Sequence, residues 1–501
     1  MTSSTRWFLG SLFFLAAIDA SAQTLPPANQ YMGPPGTATM HANAASSDAT
    51  TSAGPGAGAV SITGRSFDAV FPTILMGTDG LIVSVATKWS DQTPYVYLLD
   101  PVTLDPLANM KLVKSNTSDL AGGIYSYLDN NNRLVLVNAN GELQRISHSQ
   151  QSSGTWQLTV DSSVQIGYPD VVGLVPDYQG RVWFATAQGT SGTSGAVVGY
   201  YNPTTNLTSA FTLPAGEQVA NSISSSPDGV AVASTAALYL FSSGSSGPVE
   251  VWRQEYDRGP ARKPGQLSWG TGATPVFFGP TTGYEYLTIT DNASPQENIL
   301  VYTTTSGSLV GSVPFLISGT NSGNEDAAIA VGSSIYYPST YGYQYPASAE
   351  SGTSSPASAP FVGGMQRVDV LPGGSGLTTV WQSSVVSAAE PRLSLADNLI
   401  YTVGLDTATG TYSLITVSPA TGSLVSSIAY GSSAGDNPLQ MVSMISPSGV
   451  LYQGTERGLL RVEAVATGVP EIDPAGFAGV AALLTAALGL IERRRINAKA
   501  A

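Results

Sequence analysis

Four charged residues, Asp257, Arg258, Arg262 and Lys263, fall within seven positions of a 501-residue chain in which only 11% of residues are charged. Gly259, Pro260, Pro264 and Gly265 fix the backbone around them, so residues 255–272 read as a shaped loop. Arg262 and Lys263 are suited there to an anion or carboxylate, the guanidinium offering two parallel donors. The plainer reading is a salt-bridged loop, Asp257 paired with Arg258 or Arg262. Further on, Asp291 and Asn292 end an apolar alternation, where they suit a cation or a sugar hydroxyl, or simply cap the strand by an Asx turn. Asn221 has the same standing. Asn324, Glu325 and Asp326 offer three adjacent hard oxygen donors of the kind Ca²⁺ takes, without a regular Asp-x-Asp-x-Asp loop; the plainer reading is a solvated turn.

Other chemistry is excluded by what the chain lacks. It has no Cys, which removes disulfides, thiolate nucleophiles and zinc–thiolate sites. Its two His are His41, in a low-complexity stretch, and His148, in the polar run Ser147-His148-Ser149 and expected in an exposed loop. A Ser-His-Asp triad or a multi-His metal site is therefore not expected. The net charge of −14 and pI near 4.5 argue against nucleic acid, whose binding needs a basic face to displace counterions. No catalytic residue and no cofactor is assigned, Ca²⁺ being the one ion the oxygen clusters would suit. A carbohydrate-active alternative would draw on Asp257, Asp291, Glu325, Arg262 and Arg367. Retaining chemistry would then need two carboxylates about 5–5.5 Å apart.

The elements that must position these residues are strands. Between about residues 66 and 466 short apolar alternations recur, split by turns such as Thr78-Asp79-Gly80, Asn140-Gly141, Pro227-Asp228-Gly229 and Pro447-Ser448-Gly449. Larger units begin near Phe71, Ile124, Val171, Val219, Thr274, Ala327, Pro391 and Leu439. Four strands per repeat of roughly 40–55 residues is the pattern of β-propeller blades. The expectation is an all-β propeller of eight blades, with seven as the alternative. The last unit offers three strands, and Ala59–Thr63 would supply the fourth and close the ring. Residues 345–364 read as a flexible insertion within one blade, and residues 23–65, rich in Pro, Gly, Ala, Ser and Thr, as a disordered linker.

Both ends read as addresses. Residues 1–22 carry Arg6, an apolar core from Trp7 to Ile18 and the small-x-small pattern Ala20-Ser21-Ala22, so signal peptidase would cut before Gln23. In the tail, residues 467–501, Val469-Pro470-Glu471 precede an apolar run from Ala475 to Ile491 and then Arg493, Arg494 and Arg495. As a helix that run would span about 26 Å, enough for one crossing, with the arginines cytoplasmic.

The tail resembles the PEP-CTERM sorting signal of Gram-negative bacteria: a Pro-Glu motif, one membrane stretch and a terminal Arg cluster. It departs from that pattern at Ile472, where the motif has Pro. The resemblance implies recognition and trimming by an exosortase. The chain would be held in the inner membrane only transiently, then released to the outer surface or extracellular matrix.

The body, in Asp177–Thr186, Val219–Gly229, Val251–Tyr302, Met365–Val370 and Thr379–Ser383, is similar to exported bacterial propeller proteins related in shape to quinoprotein dehydrogenases. That group implies a fold and no activity. The tryptophan-docking repeats of the dehydrogenases are absent, Ser418–Val425 being the nearest fragment and lacking the Trp. Gly180–Thr186 resembles a strand of streptogramin-lyase-like propellers, but those enzymes use a His and acidic residues around Mg²⁺. The expected role is therefore a noncatalytic binding or scaffold platform, with extracellular polysaccharide as a candidate partner. A propeller lyase, hydrolase or quinoprotein-like oxidoreductase is the alternative.

Overall fold

The computed structural model describes residues 23–114, 124–189, 194–317, 320–346 and 352–465. The expected signal peptide and sorting tail lie outside them. Among the described residues the helical turns are two short 3-10 segments, Pro372–Gly374 and Ala434–Asp436, and no helix is long and apolar enough to cross a membrane.

Eight antiparallel sheets follow one another around a ring. Seven are built from consecutive strands, within residues 69–111, 127–165, 171–212, 224–255, 276–314, 329–383 and 392–431. The eighth takes three strands from residues 444–464, and Val60–Ser66 adds its outermost strand beside Gly458–Ala464. The fold is therefore an eight-bladed β-propeller, closed by the strand expected to close it. Closure hides the sheet edges that a free first or last blade would present.

Burial explains why the strands read as they do. Inner and middle strands such as Leu134–Val137, Val182–Thr186 and Val276–Phe278 are buried on both faces, because each blade stacks between two neighbours. Outer strands such as Leu207–Thr212 and Leu309–Pro314 alternate, one face on the next blade and one in solvent. In two successive blades the turn that joins the first two strands is set by one carboxylate. Asp177 Oδ1 accepts the N–H groups of Gln179 and Arg181 (2.9 Å each) while Oδ2 accepts Trp183 Nε1 at 2.8 Å. Asp129 repeats this with Asn131 and Arg133 one blade earlier. The Asp-x-x-Gly signal is thus an Asx turn holding the entry to a buried strand.

One expectation is overturned. Residues 23–59 are not a disordered linker. The chain runs through the ring along the innermost strands, its carbonyls accepting N–H groups from one blade after another. Met76 bonds Thr37 (3.0 Å), Leu128 bonds Ala38 (2.8 Å), and Ser225 bonds Ala44 (2.6 Å). Phe277 bonds Ala45 (3.1 Å), Ala330 bonds Ser47 (2.9 Å) and Leu393 bonds Asp48 (3.0 Å). Ala49–Thr50 then pairs in parallel with Arg392–Ser394. An innermost strand is the edge of its blade and carries backbone donors that need partners. Small residues let a second backbone come close enough to serve them. The composition of a linker is here the composition of a plug.

Gly36 shows the tightness: a Cβ there would lie 2.7 Å from Thr50 Oγ1, and its φ is +96°. The insertion is also ordered where it is described. Ser355 N–H bonds the Arg262 carbonyl (2.9 Å), and Gly364 N–H bonds Val385 (2.8 Å).

Candidate functional site

The plug enters beside the turns that follow the innermost strands, where Asn29 Nδ2 bonds the Pro176 carbonyl (2.9 Å) and Gly332 N–H bonds Thr24 (3.0 Å). Its tip, Met40 and His41, reaches the opposite face, where the chain enters each innermost strand. There it floors a cavity of about 170 Å³. The walls come from the approaches to several inner strands, among them Tyr125, Asn221, Glu325, Asp326, Glu390 and Gln440. Tyr345, at the start of the insertion, and Leu267, from the 255–272 loop, complete the rim.

The floor is acidic and almost sealed. His41 Nδ1 lies 3.0 Å from both Asp48 Oδ2 and Glu390 Oε1. Asp48 Oδ1 faces Arg392 Nη1 at 3.2 Å, and Arg392 Nη2 donates to the Met40 carbonyl. The backbone is bent to achieve this: Ala42, Ser46 and Asp48 hold φ of 70°, 59° and 49°. Each such non-glycine residue costs on the order of 1 kcal/mol, offset by the contacts it makes.

The electrostatics follow from burial. Burial works against charge on the His41 imidazole, but Glu390 and Asp48 outweigh it and carry its pKa up to about 10. Burial pushes the Glu390 carboxyl up to about 8 against the pull of His41. Burial likewise pushes Glu325 up to about 8, opposed by the Leu267 N–H and Asn221. Asp326 is raised by burial, then by Glu390 and Glu325 beside it. Burial raises the Tyr345 hydroxyl, reinforced by Asp326 and Glu325. The result is a hollow rich in carboxyl oxygen, suited to a cationic group or to a ligand donating several hydrogen bonds.

The residues singled out from the sequence divide. Asn221, Glu325 and Asp326 line the hollow. Asn221 Nδ2 donates to the Gly272 carbonyl and lies 3.4 Å from Glu325 Oε1. Asn324 does not join them: its side chain accepts the Asp326 N–H (3.1 Å) and donates to the Asp326 carbonyl (2.7 Å), so the expected three-donor Ca²⁺ set does not converge.

The 255–272 loop is structural. Arg262 is buried and donates to the carbonyls of Gln266 (2.6 Å) and Gly352 (3.0 Å), tying the loop to the insertion. Lys263 Nζ is spent on the carbonyls of Ala293 (2.6 Å) and Ser322 (2.9 Å), with Glu297 at 3.5 Å. Asp257 is exposed and caps a turn through Gly259 N–H, while Arg258 stacks on the Trp269 ring at 3.5 Å. Asp291 holds Ala293 and Asn298 in an Asx turn, and Asn292 Nδ2 donates to the Arg258 and Ala261 carbonyls. Arg367 pairs with Asp369 on the third strand of its blade.

His148 is not in a loop; it sits on Glu142–Gln150 with its ring nearly buried, 2.6 Å from Asp79. His41, Asp48, Glu390, Arg392, Tyr345 and Gln440 carried no assignment. The one available signal was Asp48 itself, the sole charge between Gln23 and Gly64.

No protein-family model and no curated protein matches the chain. Solved structures do. Sqt1 of Chaetomium thermophilum, in complex with the N-terminus of a ribosomal protein, is 14% identical with a TM-score of 0.48, covering 77% of this chain and 93% of its own. A quinohemoprotein alcohol dehydrogenase of Pseudomonas putida is 11% identical with a TM-score of 0.48, covering 86% and 80%. A streptogramin B lyase is 12% identical with a TM-score of 0.39, covering 81% and 97%. The likeness is one of fold: this chain is similar to β-propellers, quinoprotein-like ones among them.

Proposed function

We propose that this chain is an exported propeller, trimmed at its C-terminal sorting signal and held at the cell surface or in the extracellular matrix, where it binds a ligand without transforming it. The plug supports this reading. The segment beginning after the expected signal cleavage occupies the channel, so a ligand approaching along the ring axis from the His41 side meets the shallow hollow rather than an open channel. That hollow is smaller than the ~300–1,000 Å³ typical of pockets that enclose a whole small molecule. It suits one group of a larger partner, such as a sugar unit of an extracellular polysaccharide. Of the carboxyls at its floor, Asp48 and Glu390 meet His41 and Asp48 faces Arg392, as parts of a lock between plug and ring, while Glu325 is held within the ring by Asn221 and the Leu267 N–H.

The test is localisation and tail processing in a bacterium that carries an exosortase. The intact chain is compared with one truncated after Gly468. The intact chain should lose its tail and appear outside the cell. A protein that stays in the inner membrane with its tail uncut overturns the sorting reading. A glycan array with the mature protein tests the binding reading, which falls if no glycan is retained or if a retained glycan is cleaved. Cleavage would favour the propeller-enzyme alternative, with Glu325 and Glu390 as the raised carboxyls in one hollow.

A further inference from the structure

The floor of the hollow presents acceptors in excess of donors. His41 Nδ1 faces Asp48 Oδ2 and Glu390 Oε1 at the same 3.0 Å, and the three atoms all lie within 4.8 Å of one another. One ring nitrogen carries at most one hydrogen, which cannot be well aimed at both oxygens. Glu390 Oε1 accordingly lacks a hydrogen bond of good geometry. Three further buried oxygens lining the cavity have no partner: the Tyr345 hydroxyl, and Asp326 Oδ2 and Gln440 Oε1 on residues only 2% and 5% exposed. Gln440 decides the matter. Its amide oxygen is neutral, so protonation cannot satisfy it; it needs a donor or a cation.

We propose that His41 Nδ1, Asp48 Oδ2 and Glu390 Oε1 bind a divalent cation of the zinc type, its remaining coordination position open to the cavity beside Asp326 and Gln440. Metal–ligand bonds of ~2.0–2.2 Å place tetrahedral ligand atoms ~3.3–3.6 Å apart, so the two His41 contacts at 3.0 Å need to lengthen by only a few tenths of an ångström. One imidazole with two carboxylates suits zinc or manganese better than calcium, which takes six to eight oxygens. Arg392, held against the other oxygen of Asp48, fixes that carboxylate's orientation, as outer partners of metal ligands do. Two ligands come from the plug and one from the ring, so the cation fastens one to the other. An open position facing a cavity admits the oxygen of an anion or hydroxyl group from the ligand side.

The experiment uses the full-length protein, stripped with a chelator and titrated with zinc chloride alone. One zinc per chain should survive gel filtration, and the melting temperature should rise on loading and fall on stripping. Glu390→Gln and His41→Gln should each lose the bound ion, whereas Glu297→Gln, buried elsewhere in the ring, should keep it. Cobalt in the unmodified protein gives a second readout that needs no variant: the visible absorption of a four-coordinate nitrogen–oxygen site. Folded protein that retains no zinc, gives no cobalt spectrum and melts at one temperature with and without metal overturns the proposal. So does zinc retention unchanged in a folded Glu390→Gln variant. None of these results depends on tail processing or glycan binding.

Discussion

Asp48 on the plug and Arg392 on the innermost strand of the seventh blade face each other at 3.2 Å with side chains only 0% and 1% exposed. Neither charge has water to fall back on. Removing one partner of a buried pair leaves the other uncompensated, at a cost of ~3–5 kcal/mol. Asp48→Ala should therefore lower stability by about that amount in urea unfolding. The exposed pair Arg457–Asp68, at 52% and 57%, is the control: Asp68→Ala should cost under ~1 kcal/mol. Equal effects of the two substitutions would refute the buried pairing.

The plug makes a distinct prediction. Amides of Ser225, Phe277, Ala330 and Leu393 donate to plug carbonyls, so their hydrogen exchange should be as slow as that of the middle strands. Ala45 is 1% exposed among these contacts. Ala45→Lys forces a long charged side chain into that space and should cost several kcal/mol or prevent folding. A linker outside the ring would tolerate the same lysine, and the four amides would exchange quickly.

These contacts show what was legible in the sequence and what was not. Blade starts were, because the turn after an innermost strand has local chemistry: Asp177 sets its turn with donors at positions 179, 181 and 183. The closing strand was legible too, because Val60–Ser66 alternates and the last unit lacked a strand. The hollow was not. Its groups come from positions 41, 48, 326, 390 and 440, brought together only by the ring and its plug. A compact charged run such as 257–263 draws the eye, yet the turns and carbonyls beside it absorb most of its side chains. A lone Asp48 in an uncharged stretch was the stronger clue, because an isolated charge must find its partner far away in the chain.

Ring closure is testable at Ile62, on the closing strand, which packs against a cluster including Ile445, Leu451 and Val462. Ile62→Asp puts a charge against that cluster and should loosen the outermost strand. The exposed edge of Gly458–Ala464 then becomes a template for pairing with another chain. The variant should self-associate with rising concentration in analytical ultracentrifugation while the unmodified protein does not. A variant that stays monomeric with an unchanged melting temperature would show that the strand does not hold the ring shut.

Glu297 is fully buried with Lys263 at 3.5 Å and Gln266 at 3.1 Å, and its titration makes stability depend on pH. Burial is the main force on this carboxyl and pushes its pKa up to about 8 from an ordinary 4.5, with Lys263 opposing and Asp291 adding. Between those two values the folded protein holds a proton that the unfolded chain has released. Stability therefore falls as pH rises from 4.5 to 8, and levels off above. Glu325, raised to a similar value by burial, contributes in the same direction. Glu297→Gln keeps the shape and the hydrogen-bonding capacity of the protonated acid but cannot ionise. Its stability should match the parent near pH 5 and exceed it near pH 8, so the slope of stability against pH becomes shallower. Parallel pH profiles for the two proteins would mean that Glu297 is ionised throughout, paired as a carboxylate with Lys263.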